Sequence, residues 1–457
     1  MKKLLLIFTF SLFIFHSNAQ QYWHRVKGGC GDIGTGEAVV CLFNDSVNNL
    51  LYACGSFKTA DDTISADGKA FWNGSEWDSN FPYPNGATGL PENVSLTLFQ
   101  NMIYCSSQYG GGAVFHYDGT SWSQDGSFND NTNCMCVYHN KLYVGGDFTN
   151  VDGMPASFIA CYDGTSWSAL GSGIWCTQFP GDVKAMCVWN DKLIVGGSFD
   201  QAGGTSVHGV VAWNDTTWSD VGGGVIDNNA PTQVAFVNAL CVHDNDLIVG
   251  GRLTHGGGTV PASDICRFDG SNWFALGNGI IGGDVLSLLS WDSTLYIGGD
   301  FASCGWVSNT HWIGKWDGNN YHPVGDSLQG IIYSMCVYDS VLYAGGFIPL
   351  INHHSVNNIA RLLDYPDTTN YDAVKEISES ETEIKIYPNP SNETVTITAN
   401  NIKEIVVTNL LGEIVQSSKY KVQSNTATID ISKLPQGIYL LRVQTNDRWR
   451  VAKLVKE

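Results

Sequence analysis

Apolar positions in this chain come in short runs cut by turn residues, and no helical period is visible in them. One stretch reads Val183-Lys-Ala-Met-Cys187-Val-Trp-Asn-Asp-Lys-Leu193-Ile-Val-Gly196-Gly197-Ser-Phe199 and, after a loop, Val210-Val-Ala-Trp213-Asn-Asp-Thr-Thr-Trp218-Ser-Asp-Val-Gly222. The pattern predicts four short strands, which we letter a to d. Strand a is apolar, an Asn/Asp turn leads to strand b, and b ends in paired glycines. Strand c ends at a polar turn, and strand d carries a tryptophan. No convincing amphipathic helix occurs between residues 20 and 363.

The same unit recurs. Gly-Gly-x-Phe stands at Gly145-Gly146-Asp-Phe148 and Gly298-Gly299-Asp-Phe301, with variants at Cys54-Gly55, Gly250-Gly251 and Gly345-Gly346 and a degenerate copy at Tyr104-Cys105-Ser106-Ser107. The later signal, aromatic-Asp-Gly then Trp, appears at Tyr117-Asp118-Gly119 with Trp122, Tyr162-Asp163-Gly164 with Trp167, and Phe268-Asp269-Gly270 with Trp273; variants pair Trp72 with Trp77 and Trp316 with Tyr321. A four-stranded unit of this length cannot bury both faces alone, so copies must stack, the signature of a β-propeller. The copies number seven. The last, Ile331 to Asp364, lacks a strand-d tryptophan, and Trp23 near the N-terminus supplies one; that strand would close the ring and remove an open edge. The expected fold is therefore all-β: a seven-bladed β-propeller of four-stranded blades followed by a small antiparallel β-sandwich, where Val395/Ile397, Ile405/Val407 and Ile429/Ile431 alternate with polar residues.

Composition and charge narrow the class. Glycine and aromatics are abundant and only 15% of residues are charged, which suits short strands and tight turns. The net charge of −20 falls on residues 20–363, with 31 acidic residues against 11 basic. Such a surface disfavours nucleic acid and anionic lipid as partners. All but Glu37, Glu76 and Glu92 of these acids are aspartates, as turns prefer. Lys2 and Lys3, the apolar run Leu4 to Phe15 and Ser17-Asn18-Ala19 read as a signal peptide over 1–19; the run is too short for a membrane span and no other stretch could serve, so no transmembrane segment is expected in the mature chain.

The C-terminal segment carries several separated motifs: Tyr387-Pro388-Asn389-Pro390, Leu411-Gly412-Glu-Ile-Val415, Leu434-Pro-Gln-Gly437-Ile-Tyr439 and Lys453 near the end. Their order resembles the type A C-terminal sorting domain of the type IX (Por) secretion system of Bacteroidota. The resemblance implies the type IX machinery as a partner, export across the outer membrane, probable removal of the domain, and a mature protein on the cell surface or secreted. The expected organisation is a signal peptide at 1–19, a propeller at 20–363, a linker at 364–383 and a sorting domain at 384–457. Within residues 36–363, paired glycines with spaced aromatics resemble the kelch family, including the galactose oxidase propeller.

Strand order puts the a–b and c–d turns at one end and the b–c loops and inter-repeat links at the other. The latter loops are longer and differ between copies, so a ligand is expected on that face. Its candidates are Trp175, His208, His255, Trp306, His311, His353 and His354, with Phe179 nearby; exposed tryptophan can stack on a sugar or anchor a protein. Strand-c and strand-d aromatics are expected in the core. The histidines lack ligand spacing on one element, so no metal or other cofactor is expected. No catalytic residue is assigned: carboxylates sit mainly in turns, no acid/base pair stands out, and the adjacent Tyr104-Cys105 and Cys161-Tyr162 do not make the copper-radical site of galactose oxidase.

Thirteen cysteines are present. Cys41, Cys136, Cys187, Cys241 and Cys336 read as one strand-a position repeated in five copies and as small buried residues, leaving Cys30, Cys176 and Cys304 as the disulfide candidates. The expected function is non-catalytic binding of a glycan or protein through the b–c face. The alternative is an extracellular polysaccharide lyase or hydrolase on the same scaffold, which would gather titratable groups in the central channel.

Overall fold

The structure is a computed structural model that describes residues 21–31, 36–66, 68–79, 95–107, 111–351, 354–364, 385–409, 414–445 and 448–457. The signal peptide, nearly all of the linker, His353 and Gly412 lie outside these residues. The chain divides into two compact units between Asp372 and Ala373.

In the first unit the described residues form six four-stranded antiparallel sheets in the order a-b-c-d and a seventh of the same plan with one short extra strand, His354–Ser355, paired to its strand b. Each strand a packs against the strand a of the repeats before and after it, and Leu328–Tyr338 of the seventh repeat packs against Val39–Asp45 of the first, closing a ring. The seventh sheet takes its outer strand from the N-terminus: Tyr22–Arg25 pairs with Ile359–Leu363, Trp23 opposite Leu362. The expected closure is thus formed, and the edge of Ile359–Leu363 is covered by the N-terminal strand.

Trp23 also has the bonding of a strand-d residue. Strand-d rings reach back to the link entering their own repeat: Trp77 Nε1 donates to the Val26 carbonyl, Trp167 to Asp125, Trp218 to Leu170, Trp273 to Gly222, and the Tyr321 hydroxyl to Leu276. Trp23 Nε1 does the same to Val324 at 2.8 Å, from 300 residues away in sequence. The indole covers the apolar gap between sheets while its one polar atom is satisfied.

The glycine pairs have two separate causes. A Cβ on the first glycine would lie 2.3 Å from Val183 Cγ1 at Gly145, 2.6 Å from Val237 at Gly196, and 2.6 Å from Val285 at Gly250, so the strand-a valine of the next repeat fills the space. A Cβ on the second would meet the strand-a carbonyl of its own sheet, 2.0 Å from Asn131 at Gly146 and 2.1 Å from Asp182 at Gly197. That carbonyl is pushed forward by a bulge in strand a, where the pairing skips Asn133, Lys184, Asn238 and Leu286. The degenerate Cys105-Ser106 copy pairs without such a skip.

At the turn end, a–b connections such as Asn190-Asp191 take φ of 47° and 55° at successive residues, the twist that two-residue hairpins need. The c–d turns close on an aspartate or asparagine: Asp118 Oδ1 accepts from Thr120 N and Ser121 N, both at 2.8 Å. Those bonds hold the carboxyls of Asp118, Asp163 and Asp317 down at about 2, which accounts for the aspartate-rich composition.

The b–c loops differ from expectation. They are dissimilar in sequence, yet in five repeats each pairs with the preceding link, and in four of these it folds into a small hairpin. Ile174–Trp175 pairs with Gln201–Ala202, Val225–Ile226 with His255–Gly256, and Ile280–Ile281 with Ser303–Cys304; single bridges Cys30–Ala60 and Phe128–Val151 extend the pattern. Backbone groups this close to the core need partners, and the link supplies them.

Two cysteine expectations are corrected by register. Cys41 lies opposite Cys54 while Cys136 lies opposite Tyr143, so Cys41 matches Cys134, and the repeated position holds four cysteines, with Phe43 and Leu289 in other copies. Cys30 and Cys304 are buried in the link–hairpin pairing, Cys176 is half-buried, and none of the thirteen is bridged. Burial pushes nearly all these thiols up, Cys304 to about 12.

The second unit is an antiparallel assembly of Lys385–Tyr387, Thr394–Thr408, Ile414–Asp430, Gly437–Thr445 and Arg448–Lys456. The two long strands run through both layers. Val395, Ile397 and Ile429 of one half share a core with Ile405, Val407, Leu441 and Leu454 of the other, which makes the sandwich. Asn389 ties its motif to the last strand, donating to the Lys453 carbonyl and accepting from Val455 N, both at 2.8 Å. Tyr387 is exposed, Tyr439 is buried and donates to the Pro435 carbonyl, Lys453 is exposed, and Gly437 opens its strand. Pro388 and Pro390 flank Asn389.

Candidate ligand-binding site

The strand-a bulges build the most regular concavity of the molecule. A bulge turns one extra side chain out of the sheet pattern, and here six copies turn it toward the ring axis. Val40, Asn133, Lys184, Asn238, Leu286 and Tyr333 together line a central funnel of about 480 Å³. All six stand near the start of strand a, the end at which links and b–c loops emerge, so the funnel opens on the face expected from the sequence.

Its wall is polar and internally ordered. Asn133 Nδ2 donates to Asp147 Oδ1 at 2.7 Å and Lys184 Nζ pairs with Asp182 Oδ2 at 3.1 Å; Asp182 also accepts from Ser198 N. Further round, Phe179 stacks on Phe236 at 5.9 Å, and the Arg252 guanidinium lies 4.3 Å from the Phe236 ring. Arg252 Nε is 3.7 Å from the buried Asp227.

Beside this stack, Asp284 and Asp300 face each other directly across strands a and b of the sixth repeat. Burial raises the Asp284 carboxyl, the Arg252 charge opposes the rise, and Asp300 and Asp227 reinforce it. Tyr333 is raised by burial and then by Asp300. Asp264 is pushed up to about 7, by burial foremost and by the charges of Asp284 and Asp227, against a bond from Leu253 N and the Arg252 charge. These groups were not named from the sequence, where carboxylates read as turn residues. A signal was present: the bulge residue keeps one offset ahead of the second glycine (Asn133 and Gly146, Lys184 and Gly197, Asn238 and Gly251).

The residues named from sequence are spread around the face rather than gathered. Trp175 packs down onto the buried cluster between the third and fourth repeats. Trp306 is 74% exposed. His208 and His311 are exposed, and His255 Nδ1 lies 3.0 Å from both Asn228 Nδ2 and Thr254 Oγ1. His354 belongs to a short strand of the seventh repeat. Among the described residues no three His, Cys, Asp or Glu side chains are placed to hold a metal ion, and no helix is long and apolar enough to cross a membrane. The repeated aromatics Trp72, Trp77, Trp213 and Trp273 are buried, and Trp122, Trp167, Trp218 and Trp316 are partly so.

Residues 385–457 match the family described as "Secretion system C-terminal sorting domain". No curated protein matches the chain. Among solved structures it is similar to "YCF48 bound to D1 peptide" (10% identity over 77% of this chain and 97% of that one, TM-score 0.45). It is also similar to "YCF48 from Cyanidioschyzon merolae" (11%, 75% and 98%, TM-score 0.44) and to "Structure of YjhT" (12%, 62% and 97%, TM-score 0.39). The sorting-domain match implies secretion to the cell surface or the exterior.

Proposed function

We propose that this chain is an exported binding protein whose propeller takes a glycan or a protein segment at the central funnel, without turning it over. The observation that carries this reading is the convergence of six bulge residues, one from each of six repeats, on a single cavity. A cavity of this size lined by Tyr333, the Asn133 and Asn238 amides and Lys184 beside apolar Val40 and Leu286 suits a polar ligand with an apolar face. We further propose that the tail uses the type IX route of Bacteroidota, and that the signal peptide and the tail are removed on the way.

A second reading has one observation of its own. The facing Asp284 and Asp300, with Asp264 pushed up to about 7 nearby, are what a polysaccharide-cleaving enzyme would place at its channel. One experiment separates the two. The chain without its signal peptide, residues 20–457, is screened on a glycan array, and the same glycans are assayed for new reducing or unsaturated ends. Binding without product, weakened about tenfold or more by Lys184→Ala or Asn238→Ala, supports the binding reading. Product lost in Asp284→Asn transfers the site to the enzyme reading. No binding and no product leaves a protein ligand for the funnel.

A further inference from the structure

At four junctions between repeats, the link is drawn against the b–c segment of the repeat it has just left. The N–H groups of Ile174, Val225, Ile280 and Cys30 donate to the carbonyls of Ser157, His208, Ser263 and Asn357 at 3.1, 2.8, 2.7 and 2.7 Å. A glycine precedes each donor, and all four have left-handed φ: Gly173, Gly224, Gly279 and Gly29. A Cβ on Gly224 would lie 2.1 Å from the His208 carbonyl oxygen, and one on Gly279 or Gly29 would lie 2.5 Å from that of Ser263 or Asn357. At these four links the left-handed φ and the near carbonyl both favour glycine, whereas Phe128 N, preceded by Ser127, reaches the Gly112 carbonyl at 2.9 Å at the second-to-third junction.

The sixth-to-seventh junction breaks the rule. Where the other links read Leu170-Gly-Ser-Gly173, Val221-Gly-Gly-Gly224 and Leu276-Gly-Asn-Gly279, this one reads Val324-Gly-Asp-Ser327. Ser327 thus stands where Gly173, Gly224 and Gly279 stand in those links. Between the link and the segment carrying Asn309, His311 and Trp312 lies a cleft of about 650 Å³.

We propose that this cleft is a saccharide-binding site separate from the funnel. Its volume accommodates one or two sugar rings. Trp312, Val324 and Leu328 give it an apolar wall, while Asn309, His311 and Gln329 offer groups able to donate and accept, as a ring of hydroxyls requires. Its one lining carboxylate, Asp326, accepts from Trp23 N at 2.8 Å, and no lysine or arginine lines it, so an anionic ligand is disfavoured. The same loop displays Trp306. It sits in the turn after Ser303–Cys304 with φ 67°, where Gly153, Gly204 and Gly258 hold the left-handed place in other repeats. A tryptophan there costs about 1–2 kcal/mol, and at 74% exposure it returns little packing to the fold. Its use lies outside the chain, as a face for a sugar ring.

The test uses the chain without its signal peptide, residues 20–457. It is titrated calorimetrically with glucose, galactose, mannose, N-acetylglucosamine, cellobiose and chitobiose, and hydrogen exchange is followed with and without each sugar. The expected result is binding of at least one sugar with new protection in residues 309–313 and 323–329. Binding should weaken tenfold or more in the double variant His311→Ala/Gln329→Ala, whose melting temperature stays that of the parent. Binding by none of the six overturns the cleft. So does binding that the double variant retains and Lys184→Ala loses, which would place the sugar in the funnel. The two sites rest on different observations, and either can fail alone.

Discussion

At the residue scale, two titratable groups make claims that solution measurements can check. Asp264 has a carboxyl pushed up to about 7, so the folded chain keeps a proton that the unfolded chain releases near pH 4. Stability from this group therefore falls as pH rises from about 4 to 7. Asn358 occupies the equivalent place before strand c, accepts from Ile348 N as Asp264 accepts from Leu253 N, and needs no proton. Asp264→Asn should thus leave stability at pH 4 unchanged and raise it at pH 8 by on the order of 1–2 kcal/mol, after allowance for partial solvent access; urea melts at the two pH values measure this. His139 is the opposite case. It sits 2.5 Å from Asp215 and 2.9 Å from Asp191, bonds that raise its pKa. Its contribution is present below the ordinary histidine value and is lost as pH rises through the raised one, so its imidazole resonances should titrate above about 6.5 and return toward that value in Asp215→Asn. Neither group was legible in the sequence. Each owes its shift to residues of neighbouring strands or repeats, whose contact depends on register rather than on local pattern.

At the scale of elements, the sequence announced strands, turns and glycine pairs, because period-two apolar runs and paired turn residues report local geometry. It did not announce the bulge in strand a, since a skipped residue leaves the apolar pattern almost intact. That skip hid the funnel lining, while the longer a–b turn of the first repeat, where Asp45 pairs with Leu50 as Tyr138 pairs with Lys141, misplaced Cys41 by two positions. The b–c frame was hidden for a related reason: its order comes from backbone pairing with a link some 25 residues away, to which side-chain identity is nearly indifferent. The glycine account makes its own prediction. Gly196→Ala would place a methyl 2.6 Å from Val237 Cγ1 and 3.1 Å from Leu240 Cδ1, an overpacking that should cost about 1–3 kcal/mol in denaturant melts. Gly197→Ala would meet the Asp182 carbonyl at 2.1 Å; backbone yields less readily than side chains, so it should cost more.

At the scale of the whole molecule, repeat spacing and the missing last tryptophan were enough to read a closed ring from the sequence, since both concern whole units. The two cavities were not legible, because the funnel is lined by bulge residues that leave the apolar pattern almost intact and the sixth-to-seventh cleft lies at a link that departs from the others. Trp23 is wholly buried, and its indole is bonded to Val324. Trp23→Ala should cost about 3–5 kcal/mol by calorimetry, as much as a core residue, although it lies in the first strand of the mature chain. The pairing of Trp23 with Leu362 also bears on time. Joining the ends of a span of roughly 340 residues costs about 5 kcal/mol of chain entropy, repaid only when the seventh sheet forms. Until then the seventh sheet is incomplete and its N-terminal strand unpaired, and a chain so dominated by distant pairings folds slowly. The step that completes the ring is then the slow one, and the partner most able to intercept the waiting edge is the same edge on another copy.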